Sequence, residues 1–181
     1  LKNEEGLLPI RKDIGSIAVI GPLADNHNEP LGSWSCVGDP KDVVTVLEGI
    51  KSRASPNTKI LCAKGCEIEG TSTEGFEDAI DKAKESDVAI VVVGESRDMS
   101  GEAASRASLD LPGVQEELVK AVYETGVPVI EVLMNGRPLS ISWSAEHVSA
   151  ILEAWFLGVQ AGNAIADVIF GNYNPSGKLP V

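Results

Sequence analysis

The stretch Val88-Ala89-Ile90-Val91-Val92-Val93-Gly94-Glu95 decides the fold. Its apolar run is mostly β-branched, shows no alternation, and is too short for a core helix. Such a run suits a strand buried on both faces, as in a parallel sheet. The glycine and glutamate that follow mark the strand's carboxyl end, where ligands gather in sheets of this kind.

Working outward, the same pattern recurs at Ile17-Ala18-Val19-Ile20, Lys59-Ile60-Leu61-Cys62, Val127-Pro128-Val129-Ile130-Glu131-Val132-Leu133 and Val148-Ser149-Ala150-Ile151-Leu152. Helical spacing of apolar residues fills the gaps between them, predicting helices over 43–54, 74–85, 112–125 and 160–170. Pro112 suits a first helical turn and Gly126 suits a stop. Strand and helix in repeated alternation predict an α/β fold, a three-layer sandwich around a mostly parallel, doubly wound sheet. The segment from Asn174 to Pro180 is expected to add an antiparallel edge strand after the last helix. The first dozen residues read as an approach arm outside the core.

Composition is that of an ordinary globular chain, 43% hydrophobic and 23% charged over 181 residues. There are 27 acidic and 15 basic residues, a formal net charge of −12, and no basic cluster. That balance argues against nucleic acid or anionic lipid as a partner. No apolar run approaches a bilayer span, and the acidic Leu1-Lys2-Asn3-Glu4-Glu5-Gly6 does not read as a signal peptide. Compartment stays open between periplasmic, secreted and cytoplasmic. Cys36, Cys62 and Cys66 make no disulfide framework. They are expected to be small semi-buried apolar residues, and with only His27 and His147 available no zinc site is expected.

No glycine-rich nucleotide fingerprint follows any strand, and there is no Gly-x-Ser-x-Gly elbow. The unusual feature is the segment from Glu95 to Pro112, long for a connection that commonly needs about 2 to 6 residues. It carries five charged side chains between Glu95 and Arg106, and Ser100-Gly101 offers a sharp turn just before Glu102. A long polar loop at the functional edge is a natural mount for a catalytic group. It is equally a solvated surface loop, and these features alone leave both readings open.

The loop also carries a resemblance. Met99-Ser100-Gly101-Glu102-Ala103-Ala104-Ser105-Arg106, followed by Leu109-Asp110-Leu111-Pro112-Gly113 and Gln115, resembles the acid/base loop of family 3 β-glucosidases. Flanking motifs run in the same order. They are Leu1 to Pro9, Ile17-Ala18-Val19-Ile20-Gly21-Pro22, Gly32-Ser33-Trp34, Val132 to Pro138, Ala154-Trp155-Phe156-Leu157-Gly158, and Phe170 to Pro180.

The resemblance implies that residues 15–181 form the C-terminal α/β-sandwich domain of a family 3 glycoside hydrolase. Residues 1–14 then enter as an interdomain arm from a (β/α)-barrel domain outside this chain. It implies a retaining β-glucosidase acting on terminal β-glucosyl units of oligosaccharides, with no cofactor or metal. Retention needs two carboxylates, one to attack the anomeric carbon and one to protonate the departing oxygen. By the match Glu102 is the general acid/base, which must hold its proton near the working pH. The nucleophile of the family lies in a Ser-Asp-Trp-like motif on the barrel. Ser86-Asp87 is followed by Val88 at the wrong edge of the sheet, so the chain alone is expected to be inactive.

Trp34, Ser100 and Arg106 are candidate sugar-binding residues. For Trp34 the alternative is burial in packing, and for Arg106 it is ordering the loop through a carboxylate partner. Glu95 and Asp98 are alternative acids, with Glu95 favoured as structural. Asn135 and Arg137 read as turn residues beside the site. β-Xylosidase or exo-glucanase activity remains open within the family, as does a non-catalytic sugar- or nucleotide-binding module.

Overall fold

The computed structural model describes residues 1–178. A six-stranded sheet is built from β1 (Lys2–Asn3), β2 (Ser16–Ile20), β3 (Lys59–Ala63), β4 (Val88–Gly94), β5 (Val129–Met134) and β6 (Ala150–Glu153). Its order is β1-β6-β5-β4-β2-β3, parallel throughout except for β1 against β6. The sequence ladder of apolar runs thus becomes a sheet with one shared carboxyl edge.

The antiparallel edge strand comes from the opposite end of the chain to the one expected. Lys2 pairs with Ile151 and Asn3 with Ala150, while 174–178 form no strand and Leu179-Pro180 lie outside the described residues. Lys2 Nζ donates to the carbonyls of Ala145 and Val148, each at 2.8 Å, which fastens the edge. Leu8 and Ile10 are buried in the core, so the segment read as an arm contributes side chains to it.

Helices α1 (Val46–Arg53), α2 (Phe76–Lys84), α3 (Gln115–Tyr123), α4 (Ser142–His147) and α5 (Ala161–Ile169) cover the two faces. Side chains of a strand alternate between faces, and the core divides accordingly. Ile17, Val19, Ile90, Val92, Val132 and Leu152 pack with α1 and α5. Ala18, Ile20, Val91, Val93, Leu133 and Ile151 pack with α2, α3 and the α4 region. All seven residues of β4 are buried, and full burial of such a side chain contributes about 1.5–3 kcal/mol.

Helix α1 begins later than the apolar stripe suggests because Thr45 and Glu48 form a capping box. Glu48 N donates to Thr45 Oγ1 at 3.2 Å, and Thr45 N donates to Glu48 Oε2 at 2.8 Å. Helices α1 and α5 meet at Gly49 and Gly162, where any Cβ would collide with the facing backbone. Gly126 ends the α3 segment with φ 79° as expected. Helix α4 is unforeseen: six residues are too few for a stripe to show. Among the described residues no helix is long and apolar enough to cross a membrane.

The cysteine expectation needs correction. Cys36 and Cys62 are exposed, and Cys66 alone is buried; burial pushes its thiol up to about 11.

Candidate active site

The residues at the carboxyl edge are organised around Glu95, the first after β4. Its side chain is fully buried, at 0% exposure. A buried carboxylate needs partners to stay ionised cheaply, and Glu95 has three. Arg106 Nη1 donates to Oε1 at 2.8 Å, Arg137 Nε stands 3.1 Å from the same oxygen, and Gly136 N donates to Oε2 at 3.2 Å. The Arg137 contact is an ion pair without hydrogen-bond alignment. Both guanidinium groups are themselves less than one-fifth exposed.

Three chain segments are joined by this cluster: the start of the long loop, its far end at Arg106, and the turn after β5. Buried Gln115 closes the bracket from below. Its Oε1 accepts from Gly94 N at 2.9 Å, and its Nε2 donates to Gly94 O at 2.8 Å and to Ile68 O at 2.9 Å. The base of α3 is thereby fixed to the end of β4.

Between these anchors the loop makes a 3₁₀ turn at Arg97–Met99 and then a tight turn through Ser100, Gly101, Glu102 and Ala103. Ala103 has φ 61°, a left-handed conformation that a residue with a Cβ adopts only under constraint. Constraint is supplied from two sides. Ser33 Oγ lies against the carbonyls of Arg97 and Ser100, and Arg137 Nη2 donates to the carbonyls of Met99 and Ala104. A side chain at Gly136 would run into Ser100, so the turn after β5 and the loop are in close contact.

Glu102 stands at the tip, exposed and outside any helix or strand. Its carboxylate makes no hydrogen bond or ion pair with a described residue. The two residues before it, Ser100 and Gly101, line a cleft of about 360 Å³ together with Ser33, Trp34, Asn135, Trp155 and Phe156 among others. Trp34 is 72% exposed, so it is not a packing residue in this domain. Asn135 is fully buried; its Nδ2 donates to Arg137 O at 2.7 Å while its Oδ1 has no partner. Half-buried Glu153 lies behind it, 3.4 Å from Asn135 Nδ2, and burial pushes its carboxyl up to about 7.

The structure therefore brings Ser100 and Trp34 to one cleft, with Glu102 next in sequence to Gly101 of its lining. It takes Arg106 away from that cleft and into the Glu95 pair. Asp98 is exposed, with Arg97 Nε 3.8 Å away. Arg137 is more than a turn residue, and its role was hidden because its carboxylate partner lies far away in sequence. Ser33 was visible only as the middle of the Gly32-Ser33-Trp34 motif, and Glu29, which accepts from Arg97 N at 2.5 Å, gave no signal in the sequence beyond its place after a strand. Among the described residues no cluster of His, Cys, Asp or Glu is placed to hold a metal.

The model of the glycosyl hydrolase family 3 C-terminal domain matches residues 1–181. The chain belongs to that family. Its relatives include a β-xylosidase from Formosa agariphila, 50% identical, covering 99% of this chain and 25% of the relative. A periplasmic β-glucosidase of Salmonella typhimurium is 44% identical, covering all of this chain and 26% of the relative. The family 3 domain therefore spans about a quarter of the length of these curated relatives. A β-glucosidase from Listeria innocua, solved with isofagomine, superposes with a TM-score of 0.89 at 35% identity, over 97% of this domain and 24% of that chain. These relatives are glycoside hydrolases, in keeping with a carboxylate-bearing loop beside a cleft.

Proposed function

We propose that this domain supplies Glu102 as the general acid/base of a retaining β-glycosidase. The observation that carries the reading is the clamped loop, which lines a cleft through Ser100 and Gly101 beside exposed Trp34 and carries, at the next position, an exposed Glu102 with no partner among the described residues. Residues 1–14 lead in from a (β/α)-barrel domain that supplies the nucleophile and most of the sugar pocket, and 15–181 form the sandwich that closes over it. Loops at the carboxyl edge expose Trp34, Val37, Leu109, Leu157 and Val159. Apolar side chains gathered on one edge suit a face covered by another domain.

In the first step Glu102 protonates the glycosidic oxygen as the barrel's carboxylate attacks the anomeric carbon. In the second it takes a proton from the water that releases the sugar. Trp34 stacks on the leaving sugar, and Ser100 lines the same cleft. The substrate is a terminal β-glucosyl unit of an oligosaccharide. A terminal β-xylosyl unit is the second reading, favoured by the 50% identity to a β-xylosidase.

The test is Glu102→Ala in the complete polypeptide that carries this domain. Loss of a general acid/base typically costs about 10²- to 10⁴-fold, and the loss should fall on unactivated glycosides. An activated aryl glycoside should still form the glycosyl-enzyme, and azide should restore turnover as a glycosyl azide. Near-normal hydrolysis of disaccharides by the variant rejects the assignment. Glu95→Ala and Asp98→Ala should show no azide rescue.

A further inference from the structure

Resting on the acid/base reading of Glu102, we infer that Arg137, braced by Glu95, is the positioning residue that sets where Glu102 stands. Among the described residues the Glu102 carboxylate has no partner, so its place is decided by the backbone that carries it. That backbone closes on itself through one bond, from Ala104 N to Gly101 O at 3.3 Å, while Gly101 (φ 116°) and Ala103 (φ 61°) both lie at positive φ, so outside contacts must help to hold it. Ser33 bonds the loop on the N-terminal side of Glu102, at the carbonyls of Arg97 and Ser100, and Arg106 bonds it on the C-terminal side, at Asp110 O, 2.9 Å away. Arg137 reaches both flanks, bonding the carbonyls of Met99 and Ala104.

The guanidinium suits this task because its donors form a rigid planar fork. Nη2 serves the two carbonyls while Nε faces the Glu95 carboxylate. Glu95 is fixed in turn by Arg106 and by Gly136 N. The buried ion cluster is therefore a rest for the loop, and Arg137 is the part of it that touches the Glu102 turn. Lysine offers a single point charge at the same site. It can answer Glu95 or the carbonyls, and it cannot span them.

The experiment is a double-mutant cycle in the complete polypeptide, comparing wild type, Glu102→Ala, Arg137→Lys and the double variant. Each is assayed for kcat/KM on an alkyl β-glycoside, which needs protonation to leave, and on a dinitrophenyl β-glycoside, which does not. Arg137→Lys should lower kcat/KM for the alkyl glycoside about 10- to 100-fold, the scale of a misplacement of about 1 Å. On the dinitrophenyl glycoside it should stay within about threefold of wild type, because that leaving group departs unaided. In the Glu102→Ala background it should cost nothing further on either substrate, since there is no acid left to position.

Losses that multiply in the double variant, equal losses on both substrates, or an Arg137→Lys enzyme indistinguishable from wild type would each overturn the inference. If Glu102→Ala lacks leaving-group dependence and azide rescue, the acid/base reading itself fails, and the positioning role falls with it. Should Arg137→Lys prove unfolded by circular dichroism, Glu95→Gln takes its place in the same cycle. It keeps the volume of the brace while removing the charge, and the same outcomes decide.

Discussion

Two neighbouring strands bury a glutamate each, and the two are treated in opposite ways. Glu95, at the carboxyl end of β4, is surrounded by two arginines and a backbone N–H. Glu131, in the middle of β5, is equally buried, yet neither of its oxygens has a hydrogen-bond partner, and nor does Oγ of buried Ser144. Burial pushes the Glu131 carboxyl up to about 7, with the charges of Glu116 and Glu153 adding to the rise and the nearby Ser144 hydroxyl, short of hydrogen-bond alignment, offsetting part of it. The difference teaches what each burial is for. A compensated carboxylate organises the loops around it, whereas an uncompensated one is a burden whose size depends on pH.

The largest effect expected from this contrast is at Glu95. Its replacement by alanine leaves two poorly exposed guanidinium groups without their shared carboxylate. Breaking a buried pair in this way costs about 3–5 kcal/mol, to be read from urea unfolding of the domain at pH 7. A loss under about 1 kcal/mol would mean that the cluster is not a stabilising unit.

At Glu131 the sign reverses. Its folded value of about 7 lies above the ordinary 4.5, so the folded state holds a proton that the unfolded state has released. Its favourable contribution is fully present below pH 4.5 and is lost as pH rises through about 7. Glu131→Leu should therefore stabilise the domain by about 3 kcal/mol more at pH 8 than at pH 4. The wild-type decline over this window should become shallower without vanishing, because Glu153 titrates in the same range. Unfolding midpoints measured across that range check it, and a parallel displacement of the two pH curves would refute the account.

The smallest effect belongs to a pair in water. Lys59 Nζ meets Glu85 Oε2 at 2.9 Å with both side chains more than half exposed. Solvent and salt screen such pairs. Glu85→Gln should leave the thermal midpoint where it is, and a clear shift would show that partnership matters even without burial.

The same contrast explains what the sequence could reveal. Runs such as 88–93 and 17–20 announce their strands because double burial leaves a continuous apolar signature. The loop bearing Glu102 was legible from its length and from its family motif. By contrast β1 is two polar residues long and exists only because β6 offers an edge, so no local pattern betrays it. Helix α4 has the same difficulty: Trp143 stacks on His147 and meets the edge of Tyr123, contacts made only in the folded chain. Arg137 and Asn135 read as turn residues because their partners, Glu95 and Glu153, lie in other strands or loops. Charge in a sequence shows that a partner is needed; topology decides which one.

The contact of Gly49 with Gly162 has a consequence for biogenesis. It locks α1 to α5, elements from opposite halves of the chain, and the pairing of β1 with β6 spans a similar separation. Contacts so distant in sequence are slow to form. On the ribosome, Val46, Leu47 and Ile50 of α1, with the sheet face beneath, wait for Ile165 and Ile169 to emerge before that half of the core can close. A chain halted before α5 is translated would display this apolar surface to chaperones and proteases, which makes the last helix the step that commits the nascent domain to its native state.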